Sequence, residues 1–288
     1  MVNDRLALAA RPTLSAWIGE YDEIEREYRD SLAAQGVDFA PSRRGEAEIE
    51  AAKDRLRAKG ACFRNGGASI ATGPLSSACR ACSNDLGSKT FVLSMRCNRD
   101  CYFCFNANQD DEPGRPSPGE AWRDEWSEFA ASCERVTHVG LSGGEPLLHE
   151  RESVEFVRTV RDACPDAHVR LYTAGDFLDE PLLARLRDAG LAELRMSIKL
   201  DDGEDDIDDA LARLALATRF IPDVMVEMPV VPGTGERMRA LLRELDRLGA
   251  FGINLLEFCF PLHNAEEFTK RGFELRKRPF AFLYNYWY

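Results

Sequence analysis

Apolar residues recur at two different periods along this chain, and the change of period divides it. Up to about residue 60, Leu14, Trp17, Ile18 and Tyr21, then Ile24 and Tyr28, return at steps of three and four residues, which predicts helix. A second helix is expected from Gly45 to Lys59, with Gly36, Pro41 and Ser42 marking the turn before it. From Gly60 to Gly87 the chain is rich in Gly, Ala and Ser without a clear period, and an irregular connector is expected. After Lys89, short β-branched and apolar runs alternate with helical patterns. Strands are expected near Thr90–Met95, Thr137–Ser142, His168–Thr173, Glu193–Lys199, Val224–Val231 and Ile253–Phe258. Helices are expected near Pro118–Cys133, Glu150–Ala163, Glu180–Ala189, Asp205–Thr218, Glu236–Leu248 and Ala265–Phe273.

Six successive βα units predict a parallel sheet, which right-handed crossovers curl into a barrel or an open barrel. A closed eight-unit barrel typically takes about 250 residues, more than this segment holds. The expected fold is therefore α/β, a partial (β/α)6 barrel of the TIM type with an N-terminal helical extension. The expected division is 1–88, the helical extension and a cysteine-containing connector, and 89–288, the barrel with an aromatic C-terminal tail.

Composition narrows the function. Asp and Glu outnumber Lys and Arg by 49 to 37, a formal net charge of -12, which argues against a nucleic-acid partner. The one basic stretch, Lys270 to Arg278, is expected to be a solvated helix end. Neither a bilayer-spanning apolar run nor an export signal is apparent, so a cytoplasmic protein without membrane partners is expected. In that compartment nine cysteines read as metal ligands and buried thiols rather than a disulfide framework.

Cys97, Cys101 and Cys104 stand as C-x3-C-x2-C directly after the first expected strand. Three thiolates on one loop can hold three irons of a [4Fe-4S] cube and leave the fourth iron open for chemistry. A zinc knuckle would also use such a spacing. After the second strand comes Leu-Ser-Gly-Gly-Glu-Pro, in which Gly143 and Gly144 permit close backbone approach and Glu145 can accept hydrogen bonds from an ammonium group. The third strand ends at Thr173, whose hydroxyl could reach a ribose. The fourth ends in Met-Ser-Ile-Lys, where alternation would put Ser197 and Lys199 on one face.

In order and position these motifs resemble those of the radical S-adenosylmethionine (SAM) enzymes, in which the cysteine loop follows the first barrel strand and an aromatic, here Phe103, precedes the third cysteine. In style they are closest to the pyruvate formate-lyase activating enzyme-like group. The resemblance covers roughly residues 89 to 260. It implies a [4Fe-4S] cluster on Cys97, Cys101 and Cys104, and SAM contacts from Phe103, Gly143, Gly144, Glu145, Thr173, Ser197 and Lys199. Ser197 stands where that group has an Asp, so Lys199 carries over as a ligand of the SAM carboxylate and the Asp's role does not. The implied reaction is reductive cleavage of SAM to methionine and a 5′-deoxyadenosyl radical, which abstracts hydrogen from a protein, peptide or small-metabolite substrate. A reductant such as flavodoxin or ferredoxin is implied as a partner. The alternative from another class is a non-catalytic iron–sulfur electron-transfer or zinc-binding protein.

Other groups have no settled role at this level. Cys79 and Cys82, with Cys62 upstream, could form part of a second metal site, and with Cys259 would number four. Glu227 faces either the barrel interior or the helices. Asn254, Glu257, Cys259, Pro261, His263 and Asn264 make a plausible specificity region. The acidic run Asp201 to Asp209 reads as a helix start, and His138, His149 and His168 as hydrogen-bonded structural histidines. The six aromatics within Phe280–Tyr288 would cover the barrel or meet a partner, unless the chain is a fragment.

Overall fold

The computed structural model describes residues 12–40, 45–81, 87–104, 118–260 and 264–275. They form two compact units, one holding the described residues of 1–44, 101–105 and 257–288, the other those of 45–100 and 106–256. Cys82, Pro261, His263 and the aromatic tail lie outside the described residues.

In the first unit a helix runs over Pro12–Ala34, as the apolar period predicts, but Leu32 is its buried residue. Leu14, Trp17, Tyr21 and Ile24 are exposed. The stretch expected as a plain turn contains a short strand, Asp38–Phe39, paired in parallel with Glu274–Leu275. The helix expected to reach Phe273 stops at Lys270, followed by Gly272 at φ 67°. Tyr102 packs its ring against Phe268 and Phe258, with centroids 5.6 and 6.2 Å apart. Arg271 lies 3.9 Å over the Tyr102 ring, so this part of the basic stretch caps an aromatic cluster rather than only facing solvent.

The second unit begins with a helix over Glu46–Ala58. The connector expected to be irregular instead carries an antiparallel hairpin, Cys62–Arg64 with Ser69–Ala71. Its turn holds Asn65, Gly66 and Gly67 at φ 52°, 64° and 91°, a left-handed path that asparagine and glycine tolerate. A short helix follows over Ser77–Ala81, with the Ser76 hydroxyl accepting from the Ala78 N–H at 3.2 Å.

Six barrel strands then form one parallel sheet in sequential order: β1 (Ser88–Val92), β2 (His138–Ser142), β3 (His168–Thr173), β4 (Glu193–Met196), β5 (Asp223–Pro229) and β6 (Gly252–Leu256). Helices α1 (Pro118–Ser132), α2 (Glu150–Ala163), α3 (Glu180–Ala189), α4 (Glu204–Ala217) and α5 (Gly235–Leu248) alternate with them. This is the expected α/β partial barrel. Alternation decides its two faces. Phe91, Leu141, Leu171, Leu194 and Val226 join Phe156, Leu183, Leu186 and Leu214 in the apolar core under the helices. The opposite, inner face carries Thr90, Gly140, Arg170, Tyr172, Glu193, Arg195, Glu227 and Asn254, in register across the sheet. The expected acidic helix start is observed in α4, whose first turn holds Glu204, Asp205 and Asp206.

Candidate active site

The motifs sit where the barrel strands end. Beyond β1, the Leu93 N–H still donates to the Ser142 carbonyl at 3.1 Å, so pairing outlasts the strand toward the cysteine loop. The Gly143–Gly144 turn then presses onto that stretch. The Gly144 N–H donates to the Ser94 carbonyl and the Glu145 N–H to the Arg96 carbonyl, both at 2.8 Å. A Cβ on Gly143 would stand 2.2 Å from the Ser94 oxygen, and one on Gly144 2.1 Å from the Arg96 oxygen. Gly143 also takes φ 139°. The close approach expected of these glycines is thus made first to the backbone leading into Cys97.

Glu145 is 1% exposed and accepts three hydrogen bonds: from Leu147 N–H at 3.0 Å, the Thr173 hydroxyl at 2.8 Å and Ala174 N–H at 2.7 Å. Burial raises its carboxyl above the ordinary range, against the lowering effect of those donors. The Thr173 hydroxyl in turn accepts from the Gly175 N–H at 2.9 Å. Glu145 and Thr173 therefore lock the ends of β2 and β3 together.

Ser197 and Lys199 lie past β4, which ends at Met196, so the expectation that they share a strand face is corrected. Ser197 N–H still bonds the Thr173 carbonyl at 3.0 Å before the chain leaves the sheet. Lys199 is 8% exposed and forms no ion pair among the described residues, while its charge helps hold the Asp176 carboxyl low. A nearly buried ammonium with no direct ion pair among the described residues favours an anionic ligand.

Cys97 is half-buried, and its Sγ accepts the Arg99 N–H at 3.4 Å. Arg99 clamps the loop: its Nε donates to Asp176 at 2.6 Å and its Nη1 to Asp202 at 3.1 Å, while Asn98 reaches Asp176 at 2.7 Å. The Arg99 bond leads the effects that lower the Asp176 carboxyl to about 2. In the other unit, the Cys104 N–H bonds the Cys101 carbonyl at 2.9 Å, and Phe103 packs on Tyr102 and Phe258. The thiols suit an iron–sulfur cluster, being soft donors that form no disulfide. Among the described residues no three His, Cys, Asp or Glu side chains stand together at metal-binding distance. Ligand sets of this kind close as the metal binds.

The inner face holds a polar network that motif reading missed. Arg195 pairs with Glu193 and, at 2.6 Å, with Glu227, and its Nη2 lies 3.3 Å from the Cys79 sulfur. Asn254 Nδ2 donates to Glu227 at 2.6 Å and to Cys79 at 3.5 Å. Glu227 therefore faces inward. Ser76 and His168 also bind Glu193, the latter at 3.1 Å. Burial would raise the Glu193 carboxyl, but His168, Arg195 and Ser76 together take it down to about 2. Burial disfavours the Arg195 charge, yet the phenol and carboxylates around it raise its pKa overall. A signal was available: charged residues alternating inside β3 and β4, where strands of a parallel sheet ordinarily run apolar. Cys62 is exposed on the hairpin, away from any three-ligand grouping. His168 and His138 are hydrogen-bonded as expected, to Glu193 and Thr137, whereas His149 Nε2 is buried with no partner among the described residues.

Residues 91–245, more than half of the chain, match the family model of the radical SAM superfamily. The chain belongs to that superfamily and is an enzyme, which sets aside the non-catalytic alternative. It is 28% identical to a Methanocaldococcus jannaschii protein provisionally named a glycyl-radical enzyme activating enzyme, over 68% of this chain and 53% of that one. Identity is also 28% to a Pyrococcus abyssi protein provisionally named a GTP 3′,8-cyclase, over 65% of this chain and 66% of that one. SuiB of Streptococcus suis bound to S-adenosylmethionine superposes with a TM-score of 0.49 at 14% identity, covering 85% of this chain and 52% of that one. The chain thus spans between half and two thirds of the length of these curated relatives. Among the described residues no helix is long and apolar enough to cross a membrane.

Proposed function

We propose that this enzyme binds a [4Fe-4S] cluster through Cys97, Cys101 and Cys104 and binds SAM at the neighbouring strand ends, acting on a substrate held against the inner face. Held there and reduced by a flavodoxin- or ferredoxin-type partner, such a cluster would supply the one electron that cleaves SAM to methionine and a 5′-deoxyadenosyl radical, and that radical would take a hydrogen atom from the substrate. The observation that carries the reading is Lys199, a nearly buried cation with no ion pair among the described residues, three residues past the end of β4, the strand beside the one that ends at Thr173. Lys199 would hold the SAM carboxylate. The Gly143–Gly144 turn, kept in place by Glu145 and Thr173, would present backbone to the SAM amine end, and Phe103 would shield the cluster side from water. Arg99 would fix the loop's approach to the strand ends. A second metal at Cys79 and Cys82 forms no part of this reading. The relative named for glycyl-radical enzyme activation favours a protein or peptide substrate, and the cyclase relative a small metabolite.

The test is anaerobic reconstitution with iron and sulfide, followed by dithionite and SAM. Wild-type protein should release 5′-deoxyadenosine and methionine in equal amounts, and Cys97→Ala should release neither. Absence of 5′-deoxyadenosine from cluster-loaded wild type would sink the proposal.

A further inference from the structure

Arg170 belongs to the inner-face network and has Glu193 as its register partner on β4, but that carboxylate is turned to Arg195, Ser76 and His168. The Arg170 side chain is 5% exposed, yet it forms no ion pair with any described residue. Nε donates to the Tyr172 hydroxyl at 2.9 Å and Nη2 to the Thr90 hydroxyl at 3.0 Å, which leaves Nη1 buried with no acceptor among the described residues. Arg195, on the next strand, has both Glu193 and Glu227. Burying a guanidinium with no direct ion pair and one nitrogen unmet is unfavourable unless an anion reaches it.

The strand beside Arg170 is cut away to admit it. Gly140 is its register partner on β2, and a Cβ there would stand 3.2 Å from Arg170 Nε and 2.8 Å from the Thr90 hydroxyl. Glycine in a strand interior weakens the strand and marks a place of close approach. Here it lets the guanidinium lie across the inner face from β3 to β1.

We propose that the barrel interior carries a carboxylate-binding site at Arg170, which receives the anionic group of the substrate. This deepens the reading above, since it names the substrate class for the inner face to which that reading assigns the substrate. Depth separates the site from SAM. Arg170 lies three residues before the end of β3, about 10 Å below the strand ends at the usual rise per residue. Charge selects the anion: Glu193 and Glu227 share the face, so a monoanionic carboxylate is favoured over a dianionic phosphate. The Thr90 and Tyr172 hydroxyls stand beside the guanidinium as further polar contacts, and burial raises the Tyr172 phenol so that it stays neutral.

The probe is acetate, titrated at constant ionic strength against full-length protein. Wild type should show a saturable rise in melting temperature of about 2–4 °C, because a ligand bound only to the folded state stabilises it. Acetamide should produce none, phosphate should produce less, and Arg170→Met should lose the acetate response. Equal responses in wild type and Arg170→Met, or no saturable response in wild type, would overturn the proposal. Should Arg170→Met fail to fold, Arg170→Lys serves instead: it keeps the charge but not the fork, and acetate affinity should fall about tenfold or more. SAM affinity, read by equilibrium dialysis on reconstituted protein, should be unchanged in these variants. A loss of SAM binding would assign Arg170 to the SAM carboxylate and overturn the substrate assignment. SAM cleavage without substrate does not pass through Arg170, so failure of wild-type cleavage tests the proposed function and leaves this site standing.

Discussion

Two side chains on the strand ends divide structural and binding roles between them. Glu145 has lost its solvent and gained three protein donors, so its removal leaves two backbone N–H groups and a hydroxyl buried and unmet. Glu145→Ala should cost about 2–4 kcal/mol of stability, measured by urea unfolding, whereas a cost below about 0.5 kcal/mol would mean that those donors find water instead. Lys199 has the opposite profile, burial without an ion pair among the described residues. Lys199→Ala should leave stability unchanged or raised and weaken SAM binding by roughly ten- to a hundred-fold, with Lys199→Arg recovering part of the loss. Equal SAM affinity in wild type and Lys199→Ala would remove this lysine from the site. The sequence could suggest Lys199 because a cation at a strand end is visible in one dimension. It could not reveal that Glu145 faces protein donors, because those donors come from Thr173 and Ala174, one βα unit away.

At the level of elements, the boundary between β3 and the cysteine loop is held by charge. Arg99 joins the loop to Asp176 and Asp202, which follow β3 and β4. Arg99→Met and Asp176→Asn should both lower the iron bound per chain after reconstitution and broaden the cluster's electron paramagnetic resonance signal, while the circular dichroism of the barrel stays the same. Full iron loading in both variants would show that the loop needs no clamp. The six strands and five barrel helices were legible because their periods are long and undisturbed, and α2 and α3 match the expected limits. The hairpin at Cys62–Ala71 was not, since its strands are three residues each and Asn65-Gly66-Gly67 was its signal. The expected end of β4 lies three residues past the observed one, because Ile198 and Lys199 continue the alternation after the chain has left the sheet.

Across the whole molecule, acid stability follows from the carboxylates that the fold holds in their charged form. Asp176 and Glu193 titrate near 2 when folded, below the ordinary 3.8 and 4.5 of the unfolded chain. Their contribution is complete above about pH 5 and is lost as pH falls toward 2, with Glu193 worth on the order of 3 kcal/mol. Glu145 and Asp223, pushed upward, act in the opposite sense and soften the decline. Unfolding free energy measured between pH 6 and pH 3 should therefore drop, and Glu193→Gln should flatten the slope. An unchanged slope in that variant would mean that His168 and Arg195 do not hold the charge.

Ser76 and Cys79 come from the segment before β1, yet they complete the surroundings of Glu193 and Arg195 inside the sheet. A gene shortened to begin at residue 88 would keep every strand and helix of the barrel and still lose part of its floor. Expression of that shortened protein should yield aggregates or a species that binds hydrophobic dyes, while a version starting at residue 45 should remain dispersed. For anyone grafting this catalytic scaffold onto another chain, the point of excision lies upstream of the hairpin.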